Sequence, residues 1–392
     1  MDTTVRGDND LLNFYTPASN NYLQPISTVL PSYQSQVFEN NNFPDLTLID
    51  PKLKNGYTQT SFVGVQQAVG DSLTIEVNGT SALGRRLITT DVVNRQFTQT
   101  DPGPVDTYRP APYNADVAWR SGEGKSDYYA LSTLVRYRIA PFQLQAAYTW
   151  SHSIDNQSDP LVGDFFDLNF STITSVGASQ PRASFTQQFN SNADRGNSDF
   201  DQRHNLVLTS IWQSPYRRLA ARGWQISFLA AFRTGTPYSV EATNPLQPNS
   251  GGVIDNQRAD LVGGVAPVYA TPMAVAGGVQ LLNPAAFAIP APESTGNTGR
   301  NEFRGPGLYS VDLSLGRSFR VPRLREGTTF TVRADAYNFL NHANPGNPDS
   351  TLGDANFGVS TYGRQGTASG FPAVTPLNET ARQIQLLLRL QF

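Results

Sequence analysis

Apolar and polar residues alternate with a period of two in segment after segment of this chain. That pattern restricts it to extended strands with one dry face each. It is plainest at the end of the sequence, where Ile384, Leu386, Leu388, Leu390 and Phe392 interleave with Gln383, Gln385, Leu387, Arg389 and Gln391. Thr329 to Phe339 repeats it, setting Phe330, Val332, Ala334 and Ala336 against Thr331, Arg333, Asp335 and Tyr337. Tyr309 to Val321, Trp224 to Thr234 and Phe142 to Trp150 follow the same rule. Weaker alternation marks Tyr57 to Val69, Leu73 to Ser81, Tyr129 to Ile139 and Arg203 to Gln213. Nine strands result, most of about 9 to 13 residues, the length that crosses a bilayer core at a barrel's tilt.

The connections alternate as well. Gly70-Asp71, Ala140-Pro141, Ser214 to Gly223 and Pro322 to Gly327 are short. Gly84 to Asp127, Asp155 to Gln202, Gly235 to Pro306 and Asn341 to Thr380 each run to about 40 residues or more, a length compact soluble domains rarely carry. Short turns on one rim and long Asn-, Asp-, Gly-, Ser- and Pro-rich loops on the other describe an up-and-down antiparallel β-barrel in an outer membrane. A soluble β-sandwich also has alternating strands. Bulky Gln and Arg on the polar faces, and aromatics such as Tyr148, Trp150 and Trp212 at strand ends, favour the barrel, whose lumen and interface girdles need them.

Composition narrows the function classes. With 32 Gly and 27 Pro, 11% aromatic and only 16% charged residues, the chain is poor in helix formers and rich in turns. A net charge of −3 gives no general electrostatic case for nucleic acid as a partner. There is no cysteine, which excludes disulfides, thiolate metal sites and thiol nucleophiles. No apolar run is long and unbroken enough for a transmembrane helix, since Pro267, Pro272 and Pro284 cut the most apolar stretch. The first residues lack the basic and apolar regions of a signal peptide, so any export signal is expected outside this sequence.

Several short motifs then stand out in order. Thr331 to His342, followed by Asn344 to Pro348 and Asn356 to Gly358, closely resembles the end of large TonB-dependent receptors of the Oar-like, carboxypeptidase-regulatory-domain type. Pro51 to Gln59, Tyr148 to Ile154, Asp199 to His204, Gly223 to Ser227, Asn283 to Phe287 and Arg304 to Gly307 extend the resemblance over most of the chain. It implies a 22-stranded barrel with an N-terminal plug and a TonB-box region, none of them visible here. The expectation is therefore an all-β, partial barrel made of about nine C-terminal strands, with residues 1–56 an external loop region and 57–392 barrel. Its implied place is the bacterial outer membrane, its role solute capture and uptake, and its partners membrane lipid, the barrel-assembly machinery, the TonB system and an unknown large solute. A surface adhesion module without transport, and a soluble secreted binding module, are the competing readings. No enzyme activity and no cofactor are expected.

Candidate residues follow from position. Arg233, Arg333, Asp335 and Arg389 sit on polar faces and could guide an anionic solute, although ion-pair ladders on a barrel wall explain them equally well. The resemblance makes Phe392, with Leu390 and Leu388 in register before it, the sorting signal read by the assembly machinery. Ser151, His152 and Asp155 offer the atoms of a catalytic triad but at local spacing, and triads assemble across a fold. Asn190, Asn192, Asp194 and Asp201 mimic a calcium loop, lacking its central glycine and final glutamate. Gly305-Pro306-Gly307 reads as a turn leading into a strand rather than a phosphate loop.

Overall fold

The computed structural model describes residues 4–5, 46–95, 97–99, 106–108, 117–159, 184–216, 218, 220–242, 257–291, 294–321, 328–362 and 381–392. Nine long strands form one antiparallel meander in chain order: β1 (Tyr57–Val69), β2 (Leu73–Val93), β3 (Val117–Ile139), β4 (Phe142–Asp155), β5 (His204–Gln213), β6 (Trp224–Arg233), β7 (Leu308–Arg320), β8 (Thr329–Tyr337) and β9 (Gln383–Gln391). Each pairs with its sequence neighbours, as short turns on a single rim require. The only helices among the described residues are two 3-10 turns, Ser191–Asp194 and Pro284–Ala286.

Residues directly opposite one another in a ladder point to the same face, so the register sorts the wall into an outer and an inner side. One row across seven strands reads Leu386, Ala334, Leu315, Ile226, Trp212, Phe142 and Ile139, wholly apolar. The adjacent row reads Gln385, Asp335, Ser314, Ser227, Ile211, Gln143 and Arg138, polar apart from Ile211. The apolar side leaves large hydrophobic side chains exposed, with Leu386 at 75% and Ile384 at 69%. A face this apolar left open to water would be costly, whereas against lipid it is matched. At the short-turn rim Arg317 lies over the Trp224 and Phe319 rings and donates to the Arg222 carbonyl, keeping its charge at the interface while its stem stays against apolar surface.

Two expectations need correction. Gly84 to Asp127 is not one long loop, because β2 and β3 run on for 21 and 23 residues and stay paired from Leu73↔Tyr137 to Val93↔Val117. The register shifts on both sides of Leu87, and Arg86 is held at φ 54, so a bulge interrupts the alternation there. Beyond it Thr89, Thr90, Asp91, Val92 and Val93 are buried one after another. A strand covered on both faces has no reason to alternate, and the sequence there reads as loop. Likewise the Gly235 to Pro306 connection is not simply solvated. It holds most of a compact core in which Tyr238, Val240, Ala242, Ala259, Leu282 and Phe287 pack with Phe303 and Phe357.

Most of segment 1–56 lies outside the described residues, as does the expected turn Pro322 to Gly327. Leu46–Ile49 runs parallel to β3 along Val117 to Arg120. Among the described residues the sheet does not close: β1 pairs only with β2, and β9 only with β8. All thirteen residues of β1 are exposed. Such edges leave backbone amides unpaired, which lipid does not tolerate. Produced alone, this chain is therefore expected to aggregate or to stay a detergent-dependent, poorly ordered sheet. Size-exclusion chromatography and thermal melting check this, and a monodisperse, cooperatively melting monomer in detergent-free buffer would support the soluble sandwich instead.

Candidate functional site

The polar side of the wall and the loops above it are where a solute could be met. Register places Arg233, Arg333, Asp335 and Arg389 all on that polar side. Arg333 and Asp335 come together: the guanidinium donates to the carboxylate from both Nε and Nη2 at 2.9 Å. Asp335 is buried and opposite Ser314 and Gln385, so this pair is a wall contact with its charges satisfied. Arg389 lies near the short-turn rim opposite Thr331, and Arg233 at the far end opposite Asn205 and Leu308. The four residues share a face but do not converge on one point.

What does converge is a set of arginines and aspartates at the long-loop rim that sequence reasoning passed over. Arg300 bridges two carboxylates, with Nη1 to Asp155 at 2.6 Å and Nη2 to Asp199 at 2.9 Å, and also donates to the Ser158 hydroxyl. Burial alone pulls its guanidinium down, but Asp199 and Asp155 more than reverse this and hold it above its usual value. Next to it Asn301 exchanges amide hydrogen bonds with Asn197 at 2.7 and 2.8 Å. Arg304 donates to Asp201 at 2.6 Å and to the Gly235 carbonyl at 2.8 Å, while Arg258 pairs with Asp194. Further along, Arg95 pairs with Asp91 at 2.8 Å and caps the carbonyls of Phe185 and Thr186, and Arg195 pairs with Asp127. Thr351–Leu352 pairs with Glu241–Ala242, and Asn347 accepts from the Thr236 hydroxyl through Oδ1 and donates to the Pro237 carbonyl through Nδ2. The connections β2–β3, β4–β5, β6–β7 and β8–β9 are thus tied into one polar scaffold.

The signal for this scaffold was present but unread. Asp199 to His204 and Arg304 to Gly307 stood out only as motifs, and the structure shows that they meet through Arg304 and Asp201. Gly235 has to be glycine for the same junction, because a Cβ there would lie 2.0 Å from the Gly305 carbonyl oxygen. Gly307 leads directly into β7, as expected of a turn at that place. Asp194 and Asp201 face arginines, Asn192 accepts from Lys125 at 3.0 Å and Asn190 donates to Gln187, so the calcium-like stretch is held by cations and amides of the protein itself. Among the described residues no group of three or more His, Asp or Glu is placed to hold a metal. The triad atoms are also apart in bonding: His152 Nε2 meets Asn197, Ser151 donates to the Gln202 carbonyl, and Asp155 is taken by Arg300. His204 and His342 bond the hydroxyls of Tyr148 and Tyr309.

A wall with an apolar side, a polar side and a loop scaffold at one rim is the architecture of a bacterial outer-membrane barrel protein. The chain matches the family described as outer membrane beta barrel domain over residues 3–385, and it belongs to that family. It is also similar to two solved outer-membrane proteins. The outer membrane transporter YddB from Escherichia coli aligns at 13% identity and a TM-score of 0.43, over 88% of this chain and 34% of that one. BauA, the ferric preacinetobactin receptor from Acinetobacter baumannii, aligns at 10% identity and a TM-score of 0.35, over 78% of this chain and 28% of that one. The chain spans about a third of the length of these proteins. No curated protein matches it significantly.

Removing the bridge tests the scaffold. Arg300→Ala leaves the buried Asp155 carboxylate without its cation and frees the more exposed Asp199, a loss of about 3 kcal/mol. Limited proteolysis of folded protein in outer membranes should then cut between Asn156 and Gln202 much faster, while the heat-modifiable mobility of the barrel persists. Unchanged cleavage would mean that the scaffold does not depend on Arg300.

Proposed function

We propose that this chain forms wall and external loops of a TonB-dependent receptor of the Oar-like type, in which the loop scaffold helps to capture a large solute for energised uptake across the outer membrane. The observation that carries the reading is the asymmetry of the two rims: tight turns on one, and on the other long connections tied to one another, β4–β5 to β6–β7 by buried Arg–Asp pairs. Capture needs a rigid surface raised above the bilayer, and β2 and β3, at 21 and 23 residues, are about twice the span that a membrane requires. The open edges at β1 and β9 suit a sheet completed by further strands of a larger barrel, the resemblance supplying the number 22. In this reading the protein moves a solute and catalyses nothing, and its partners are lipid, the assembly machinery and the TonB system.

Uptake can be separated from adhesion in cells. With the gene deleted or complemented, and TonB present or absent, transport of a panel of labelled oligosaccharides, peptides and metal chelates should reveal one solute whose entry needs both proteins. If no solute does, and deletion instead abolishes attachment to surfaces or neighbouring cells, the adhesion reading replaces this one.

Phe392 offers a second test. It is 83% exposed and follows Leu388 and Leu390 on the apolar side of β9, at the short-turn rim. If it is only one more lipid-facing ring, deleting it costs about 1.5 to 3 kcal/mol of burial, much as Phe330→Ala would on β8. As an assembly signal it matters far more. Deletion of Phe392 is expected to reduce the folded, heat-modifiable protein in outer membranes sharply and Phe330→Ala only mildly; equal levels would leave Phe392 with the lipid-facing role alone.

A further inference from the structure

A groove of about 530 Å³ crosses the exposed side of β1 to β4 at the level of the outer aromatic residues. Two neighbouring rows of side chains form its walls, and the backbone of Phe62, Thr80, Ala130 and Ser151 between them forms its floor. The wall nearer the short turns is apolar, built from Val63, Leu131 and Trp150, with Gly79 leaving a gap where a side chain would stand. The wall nearer the long loops is polar, built from Ser61, Ser81, Tyr129 and His152. Spanning four strands, the groove is about 14 Å long. Trp150 stands eight residues beyond the start of β4, which is near the length of a bilayer crossing, so the groove lies where acyl chains give way to headgroups.

Charge at one end completes the site. Arg203 closes the groove beside His152, and none of its lining residues is acidic. The scaffold holds the Arg203 guanidinium only through Nη2, which donates to Asn197 Oδ1 at 3.4 Å. The same Nη2 lies 3.5 Å from Asp201, whose carboxylate is held more closely by Arg304 at 2.6 Å, so Asp201 offsets the Arg203 charge only in part. Its side chain is a third exposed. An apolar wall on the bilayer side, hydroxyls on the solvent side and a partly exposed cation at the end are complementary to a lipid that carries both acyl chains and a phosphate on a sugar-like headgroup.

We propose that this groove binds a phosphorylated glycolipid of the outer leaflet, with one acyl chain against Leu131 and Trp150 and a phosphate on Arg203. The choice of leaflet rests on the long loops facing outwards; the chemistry of the groove does not. The test uses protein extracted folded from outer membranes, with native mass spectrometry counting lipid retained from three probes: bisphosphorylated lipid A, its dephosphorylated form, and phosphatidylglycerol. Wild type should retain bisphosphorylated lipid A in preference to the other two. Arg203→Gln should weaken that retention about fivefold, the worth of one arginine near an anionic surface, and leave the dephosphorylated form unaffected. Gly79→Leu, which fills the gap beside Val63, should lower retention of both lipid A forms. Two heat-modifiable variants that retain as much lipid A as wild type would overturn the proposal and leave the uptake reading untouched. Preference for phosphatidylglycerol would overturn it too, and would also reverse the assignment of the outer rim.

Discussion

A strand inside a bilayer has no water to satisfy its amides, so every backbone donor and acceptor must find its partner on the strand beside it. All else in this protein follows from that ladder. Fixed pairing fixes register, register with a period of two assigns each side chain to one face, and the rows near the short turns from β3 to β9 come out apolar on one side and polar on the other. Only Lys52, Lys54 and Lys125 among the 29 lysines and arginines are lysines, and this tilt towards arginine is part of the same economy. Arg317 rests on Trp224 and Phe319 and Arg333 holds Asp335 through two donors, geometries that the planar guanidinium supports and a point-charge ammonium does not.

Above the membrane the governing interaction changes. There, strands need not be dry on one side, and the excess length of β2 and β3 is sheathed by the loops. Arg–Asp pairs do the joining because they fix direction as well as distance: a single Arg300 sets the end of β4, the β4–β5 connection and the β6–β7 connection relative to one another. The apolar cluster around Phe287 and Leu282 supplies the non-directional part of the cohesion.

The nine membrane strands were legible in the sequence because each is dry on one face only, and their bounds agree with the structure to within a few residues at the short-turn rim. What was hidden has a common cause. Thr89 to Val93 are covered on both sides, so their pattern carries no periodicity. The partners of Arg300 and Arg304 lie about a hundred residues away or more, and no local spacing can announce a contact that only the meander brings about. Of the polar-face residues singled out from sequence, Arg333 and Asp335 satisfy each other, while the groove beside Arg203 depends on a missing side chain, Gly79, that composition alone does not mark.

The interlocking of the four outer connections has a bearing on how such a protein can diversify. Asp155, Asp199 and Asp201 come from the end of β4 and the β4–β5 connection and Arg300 and Arg304 from the β6–β7 connection, so neither half of a pair can be exchanged without stranding its counterpart. Recombination that swaps one loop between relatives would break the set, whereas substitutions on the surface of the intact assembly leave it standing. New recognition properties are then acquired either by point changes on a constant frame or by transfer of the loops as a single heritable block.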